Sequence, residues 1–164
     1  MDPMADAHPR PDAVADRLRD LRLANVSKIF RFQGDGFSWR EVPIADYKPA
    51  DASWKGVTRR VLVGETGETP DFHLRYFEIE PGGYTTLERH RHEHVVFVLR
   101  GKGEVLVGCE TRSLTFGDVV YVAPDDPHQF RNDEAAEPFG FLCIVNAERD
   151  RPREAGRSYC PICE

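Results

Sequence analysis

Glu88, His90, His92 and His94 lie within seven positions of one another and account for three of the six histidines in the chain. Imidazole nitrogens with a carboxylate are the donor set of mononuclear transition-metal sites. Such a site activates small molecules or polarises a carbonyl oxygen. Side chains two apart on a strand point to one face, so Glu88 pairs with His90 and His92 with His94. On a single extended strand, positions 88 and 94 would stand about 20 Å apart at ~3.3 Å per residue, too far for one ion. A turn must intervene. If Arg91, His92 and Glu93 form it, strand 85–90 folds back on 94–100, and Glu88, His90 and His94 converge. His92 then sits at the turn, at the edge of the coordination set or outside it. There it could serve as an acid–base group.

The elements around the cluster read as β. Strand candidates are 57–63, 72–80, 85–90, 94–100, 103–108, 111–116, 118–123, 128–132 and 139–145, with turn residues between nearly all of them. Many short strands with regular punctuation imply a sandwich or small barrel. Two shorter strands, 28–32 and 37–42, flank the turn Gln33-Gly34-Asp35-Gly36. Residues 1–11 are proline-rich and polar and read as disordered. Residues 12–24 place Val14, Leu18 and Leu21 on one stripe of a short helix capped by Asp12. The expected organisation is a tail and helix over 1–27, a barrel over 28–146 and a surface tail over 147–164.

The spacing from Gly82 to Gly101 resembles the first motif of the cupin superfamily, G(x)5HxH(x)3–4E(x)6G. Glu88 stands in the first histidine slot, His90 in the second and His94 in the glutamate slot. The second motif, G(x)5PxG(x)2H(x)3N, is matched from Gly117, with His128 and Asn132 in register. Ala123 occupies its proline slot and Asp125 its glycine slot. The resemblance covers roughly residues 57–146. It implies an all-β fold, a double-stranded β-helix or jelly-roll barrel, around one divalent transition metal (Fe, Mn, Cu, Ni or Zn). The ligands it implies are Glu88, His90, His94 and His128. A competing assignment takes His90 and His92 as the literal HxH pair, completed by His94 or His128. The family further implies a homodimer.

Other residues have more than one reading. Phe97, Tyr121, Phe130 and Phe141 are candidate pocket walls or plain core. Cys143 is an inert buried thiol or one that faces the metal pocket. Cys109 falls at a predicted turn. Cys160 and Cys163 have the spacing of half a zinc site or a redox pair, or are solvated thiols. His8 and His73 are isolated and read as solvated or structural. The formal charge of −6 and the lack of a basic patch argue against nucleic acid as a partner. No apolar run approaches the ~18 residues of a membrane span. The N-terminus lacks a signal-peptide core, so a cytoplasmic location and reduced cysteines are expected. The leading expectation for function is a metal-dependent oxidoreductase, plausibly a dioxygenase, acting on a small organic substrate. The alternatives are a redox-neutral isomerase or lyase on a sugar or small acid, and a non-enzymatic module that binds a small ligand or metal.

Overall fold

Alternation of apolar and polar residues at period two makes one face of each strand an inner face, and the burial pattern shows it directly. Along His94–Arg100, residues His94, Val96 and Val98 are buried while Val95 and Phe97 are exposed. The computed structural model of the chain describes residues 23–133 and 136–155. The helix expected over 12–24, all but its last two residues, lies outside them, as do His8, Cys160 and Cys163. No helix occurs among the described residues, and the architecture is all-β.

Three short strands come first: β1 (Phe32–Gln33), β2 (Ser38–Trp39) and β3 (Ala45–Asp46). The long strands β4 (Lys55–Val63) and β5 (Phe72–Tyr84) follow, then β6 (Glu88–Arg89), β7 (His94–Arg100) and β8 (Lys102–Val107). The chain continues through β9 (Glu110–Thr115), β10 (Val119–Val122), β11 (His128–Asn132), β12 (Phe139–Asn146) and β13 (Arg153–Glu154). All pairings are antiparallel. The hairpin expected at the turn 33–36 is present as β1 and β2, shorter than its sequence pattern suggested.

The sheet curls because β5, 13 residues long, serves two layers. Most of it pairs with β12 on one side and β4 on the other, while its last residues, Gly83 and Tyr84, pair with Asn132 and Arg131 of β11. One layer therefore runs β10-β7-β12-β5-β4-β3 and the other runs β9-β8-β11-β6-β13. Their inner faces enclose a core that includes Val57, Phe77, Ile79, Val98, Val105, Leu114, Phe130, Phe139 and Phe141. A second, smaller cluster lies outside the barrel, where Phe30, Phe37, Trp39 and Val42 cover Leu62, Tyr76 and Leu142. Gly101, which closes the first motif, has a φ of 65°, and a Cβ there would meet the Pro138 carbonyl oxygen at 2.4 Å. Glycine is required at that turn by both conformation and space.

Candidate metal centre

Three strands deliver the histidines. His90 leaves the end of β6, His94 opens β7 and His128 opens β11, directly opposite Glu88 of β6. The turn expected at 91–93 is present and reverses the chain between His90 and His94. It is held by Asp125, whose backbone N–H donates to the His90 carbonyl at 2.7 Å. Asp125 has a φ of 63°, the left-handed conformation that the glycine slot of the second motif calls for. Aspartate is among the few non-glycine residues that adopt it readily.

One ligand atom from each of His90, His94 and His128 can be chosen so that all lie within 4.8 Å of one another. Hydrogen bonds select the free nitrogens. His90 Nδ1 is 2.8 Å from the His92 carbonyl oxygen and His128 Nδ1 is 3.0 Å from that of Asp126. A carbonyl only accepts, so each Nδ1 carries the hydrogen and each Nε2 keeps its lone pair. Nε2 of His90 and of His94 are buried and have no hydrogen-bond partner. Orphaned buried nitrogens that converge fit a divalent transition-metal ion, which would satisfy them at once. The protonation states agree. Burial, with repulsion from neighbouring imidazoles, lowers His90 to about 4 and lowers His94 further. Burial likewise lowers His128. All three rings are neutral, as metal ligation requires.

The other two members of the sequence cluster are close but differently engaged. The Glu88 carboxylate accepts a hydrogen bond from Lys48 Nζ in an ion pair and one from Tyr47 Oη at 3.4 Å. It does not belong to the mutually close triad. Burial and the Glu88 charge push the Tyr47 hydroxyl well above its usual range. His92 stacks on His90 with ring centroids 3.5 Å apart. Its Nδ1 donates to Asp150 at 2.8 Å, and Asp150 also accepts from the backbone N–H groups of Arg91 and His92. These bonds hold the Asp150 carboxyl far below the ordinary carboxylate range.

Two of the triad, His94 and His128, line a cavity of about 220 Å³. Phe77, Phe130 and Phe141 form its apolar wall, and Cys143, Glu88 and His92 also line it. Phe97 and Tyr121 do not. They face outward, 38% and 57% exposed, because Phe97 alternates with inward Val96 and Val98 while Tyr121 pairs with outward Val95. Four cations that the sequence reading passed over complete the lining: Lys48, Arg59, Arg75 and Arg149. Parity was the available signal. Arg59 shares a face with buried Val57, and Arg75 with buried Phe77 and Ile79. The segment after β12 also departs from the expected surface tail. Arg149 and Pro152 line the cavity, Asp150 ties down the 91–92 turn, and β13 pairs with β6. Cys109 is disulfide-bonded, contrary to the expectation of reduced thiols, whereas Cys143 is free and buried.

The family model for the cupin domain matches residues 75–145. A protein of Rhodospirillum rubrum, described as 1-methylthio-D-xylulose 5-phosphate methylsulfurylase, is 42% identical over 131 residues, covering 79% of this chain and 82% of that protein. The chain belongs to the cupin family. Among solved structures, a cupin-2 domain protein from Rhodospirillum rubrum superposes with a TM-score of 0.69 at 41% identity, over 79% of this chain and 86% of that one. A cupin 2 conserved barrel protein from Rhodopseudomonas palustris gives 0.71 at 38% identity, over 79% and 87%. In this cupin the two motifs place His90, His94 and His128 together, while the first-motif slot held by Glu88 lies beside the triad with Lys48 as its partner.

Proposed function

We propose that this cupin is a metal-dependent enzyme that cleaves the carbon–sulfur bond of a methylthio-ketose phosphate. One observation carries the reading: His94 and His128 of the neutral histidine triad line the same cavity as four cations. The triad suits a divalent ion, and the cations suit an anionic end such as a phosphate. The relative from Rhodospirillum rubrum, whose name specifies such a substrate, supports the assignment. A cavity of about 220 Å³ also leaves room for a small substrate, which favours an enzyme over a barrel packed solid.

His90, His94 and His128 would hold the ion, and Glu88 is the fourth donor to be tested. When bound, a divalent ion supplies Lewis acidity toward a carbonyl oxygen. The chain supplies the rest. Buried Nε atoms of Arg59 and Arg75 lack partners and are available to an anion. Phe130 and Phe141 shield the site from water on the apolar side. His92, held through Nδ1 by Asp150, is oriented to move a proton at its other nitrogen.

The test is incubation of metal-loaded protein with 1-methylthio-D-xylulose 5-phosphate and an excess of a small-molecule thiol, which supplies the two electrons and leaves as its methyl disulfide. A 1-deoxy-ketose phosphate, formed without oxygen uptake and lost on chelation, is the expected outcome. Oxygen consumption coupled to substrate loss would restore the dioxygenase reading and refute this one.

A further inference from the structure

The open end of the barrel is crossed by a short piece of chain that joins one layer to the other. On one side Ala147, just past β12, donates its N–H to the Asp71 carbonyl at 2.9 Å. On the other side β13 pairs with β6, and the Ala155 N–H donates to the Leu87 carbonyl at 3.1 Å. Residues 148–152 run between these anchors, a crossing too short for its members to move independently. Two neighbours on it face different groups. Arg149 lines the cavity together with Arg59 and Arg75. Its Nη1 is braced by the Asn146 and Ala147 carbonyl oxygens at 3.0 and 3.2 Å and by His73 Nδ1 at 3.3 Å. Burial, with repulsion from Arg75 and Arg59, lowers the Arg149 guanidinium from its usual range. Three like charges thus share one cavity, an arrangement that favours an anion between them. Asp150 faces the 91–92 turn instead, where it accepts from the N–H groups of Arg91 and His92 and from His92 Nδ1. That turn fixes the site. The His92 carbonyl holds His90 Nδ1 at 2.8 Å, and the two rings stack.

We propose that residues 148–152 form an anion-responsive strap: a phosphate dianion bound by Arg149 with Arg59 and Arg75 fastens Asp150 on the 91–92 turn, and the fastened turn sets His90 and His92 for reaction. This inference rests on the phosphorylated substrate proposed above and gives its phosphate a task besides affinity. Without the anion, repulsion among the three guanidiniums drives Arg149 outward, and Asp150, one residue on, loosens its hold. With the anion, each guanidinium is attracted to a common centre, and the strap is held at Ala147, at Arg149 and at β13. The anion favours the fastened state because only there do all three cations reach it. Binding energy at the end of the substrate remote from the reacting carbon is thereby converted into alignment of the reacting groups. Arg149 is in this account a binding residue, and Asp150 is a positioning residue that acts through His92.

The experiment has two arms. In the first, hydrogen–deuterium exchange of metal-loaded protein is followed with and without saturating inorganic phosphate. Phosphate should slow exchange at the Arg91 and His92 amides, which donate to Asp150, by about 10-fold, the equivalent of one hydrogen bond to a charged group. Arg149→Met should abolish the slowing, whereas Arg59→Met should need more phosphate and then show it in full. In the second arm, turnover with excess thiol is measured on the truncated ketose CH3–S–CH2–CO–CHOH–CH2OH, which carries no phosphate. Sodium phosphite should raise its rate by about 10-fold in the wild type and leave it unchanged in Arg149→Met. Asp150→Ala should lose this activation and, on the full substrate, lower kcat by a larger factor than it raises KM. Asp150→Asn, which keeps an acceptor oxygen, should recover part of that kcat. Unchanged exchange at 91–92 in wild-type protein saturated with phosphate, or equal slowing in Arg149→Met and wild type, overturns the strap even where deoxy product forms from the full substrate. Absence of deoxy product from every preparation instead sinks the proposed reaction, and the exchange arm then decides the strap on its own.

Discussion

Followed two residues at a time along the barrel interior, each of four strands changes character. β5 presents Arg75, Phe77 and Ile79; β7 presents His94, Val96 and Val98. β12, read in reverse, presents Cys143, Phe141 and Phe139, and β11 presents His128, Phe130 and Asn132. At one end the inward side chains are imidazoles, a guanidinium and a thiol around a cavity. At the other they are close-packed, with Ile79, Val98 and Phe139 fully buried. Asn132 is the exception at the packed end, and its Nδ2 is committed to the Ile79 and Glu137 carbonyls at 2.9 Å each. Burying polar groups costs free energy unless they are paired, whereas burying a side chain the size of Phe or Ile contributes about 1.5–3 kcal/mol. The packed end therefore stabilises the strands, and the open end uses that stability to hold neutral imidazoles close together. Strand alternation lets one backbone do both, because site and core share the inner face.

Two substitutions should separate the ends. His128→Ala is expected to take bound metal from stoichiometric to trace and abolish activity, with the protein still folded; elemental analysis and circular dichroism would read this. Phe139→Ala should do the reverse. Removing a fully buried aromatic typically costs about 3–5 kcal/mol, so the denaturation midpoint should fall sharply while metal stoichiometry below that midpoint holds. If Phe139→Ala instead emptied the site at low temperature, the division between the ends would be wrong.

A third variant sharpens what the open end recognises. Arg59 has a buried Nε with no partner, so Arg59→Met breaks no hydrogen bond there and keeps most of the side-chain volume. A hydrogen bond to a charged group is worth about 1.5–3 kcal/mol, which corresponds to a rise of about 10- to 150-fold in KM for a phosphorylated substrate. Inorganic phosphate should inhibit the wild type competitively and the variant more weakly. An unchanged KM would remove Arg59 from the anion site.

This division also explains how far the sequence could be read. Glycine and histidine spacing placed the barrel, the reversal at 91–93 and the three histidines, because each depends on positions close along the chain. The partners of those residues depend on distant chain. Lys48, which pairs with Glu88, sits in a segment that reads only as a loop. Asp150 reaches the 91–92 turn from beyond the last long strand, in a segment whose charges suggested nothing but solvent. Arg59 and Arg75 carried a parity signal, but it becomes usable only once Val57 and Phe77 are known to face inward. The outward placement of Phe97 and Tyr121 is the same lesson with opposite sign. Aromatic character said they were apolar, and only the register against Val95 and Val96 said which side they occupy.

A last expected effect concerns the open end in metal-free protein. Burial lowers His90 from an ordinary value near 6.5 to about 4. In the unfolded chain this imidazole takes up a proton as pH falls through 6.5, whereas the folded chain leaves it neutral until about pH 4. Over that window the unfolded state binds more protons, so stability falls as pH falls and is restored above 6.5. For His90 alone the loss is on the order of 3 kcal/mol, and His94 and His128, lowered for the same reason, act in the same direction. Metal-free protein should therefore show a thermal midpoint that drops between pH 6.5 and 4, and metal-free Phe139→Ala should show the same slope from a lower starting point. Because the packed end contributes no group that titrates in this range, a different slope in Phe139→Ala would mean that the two ends are not independent.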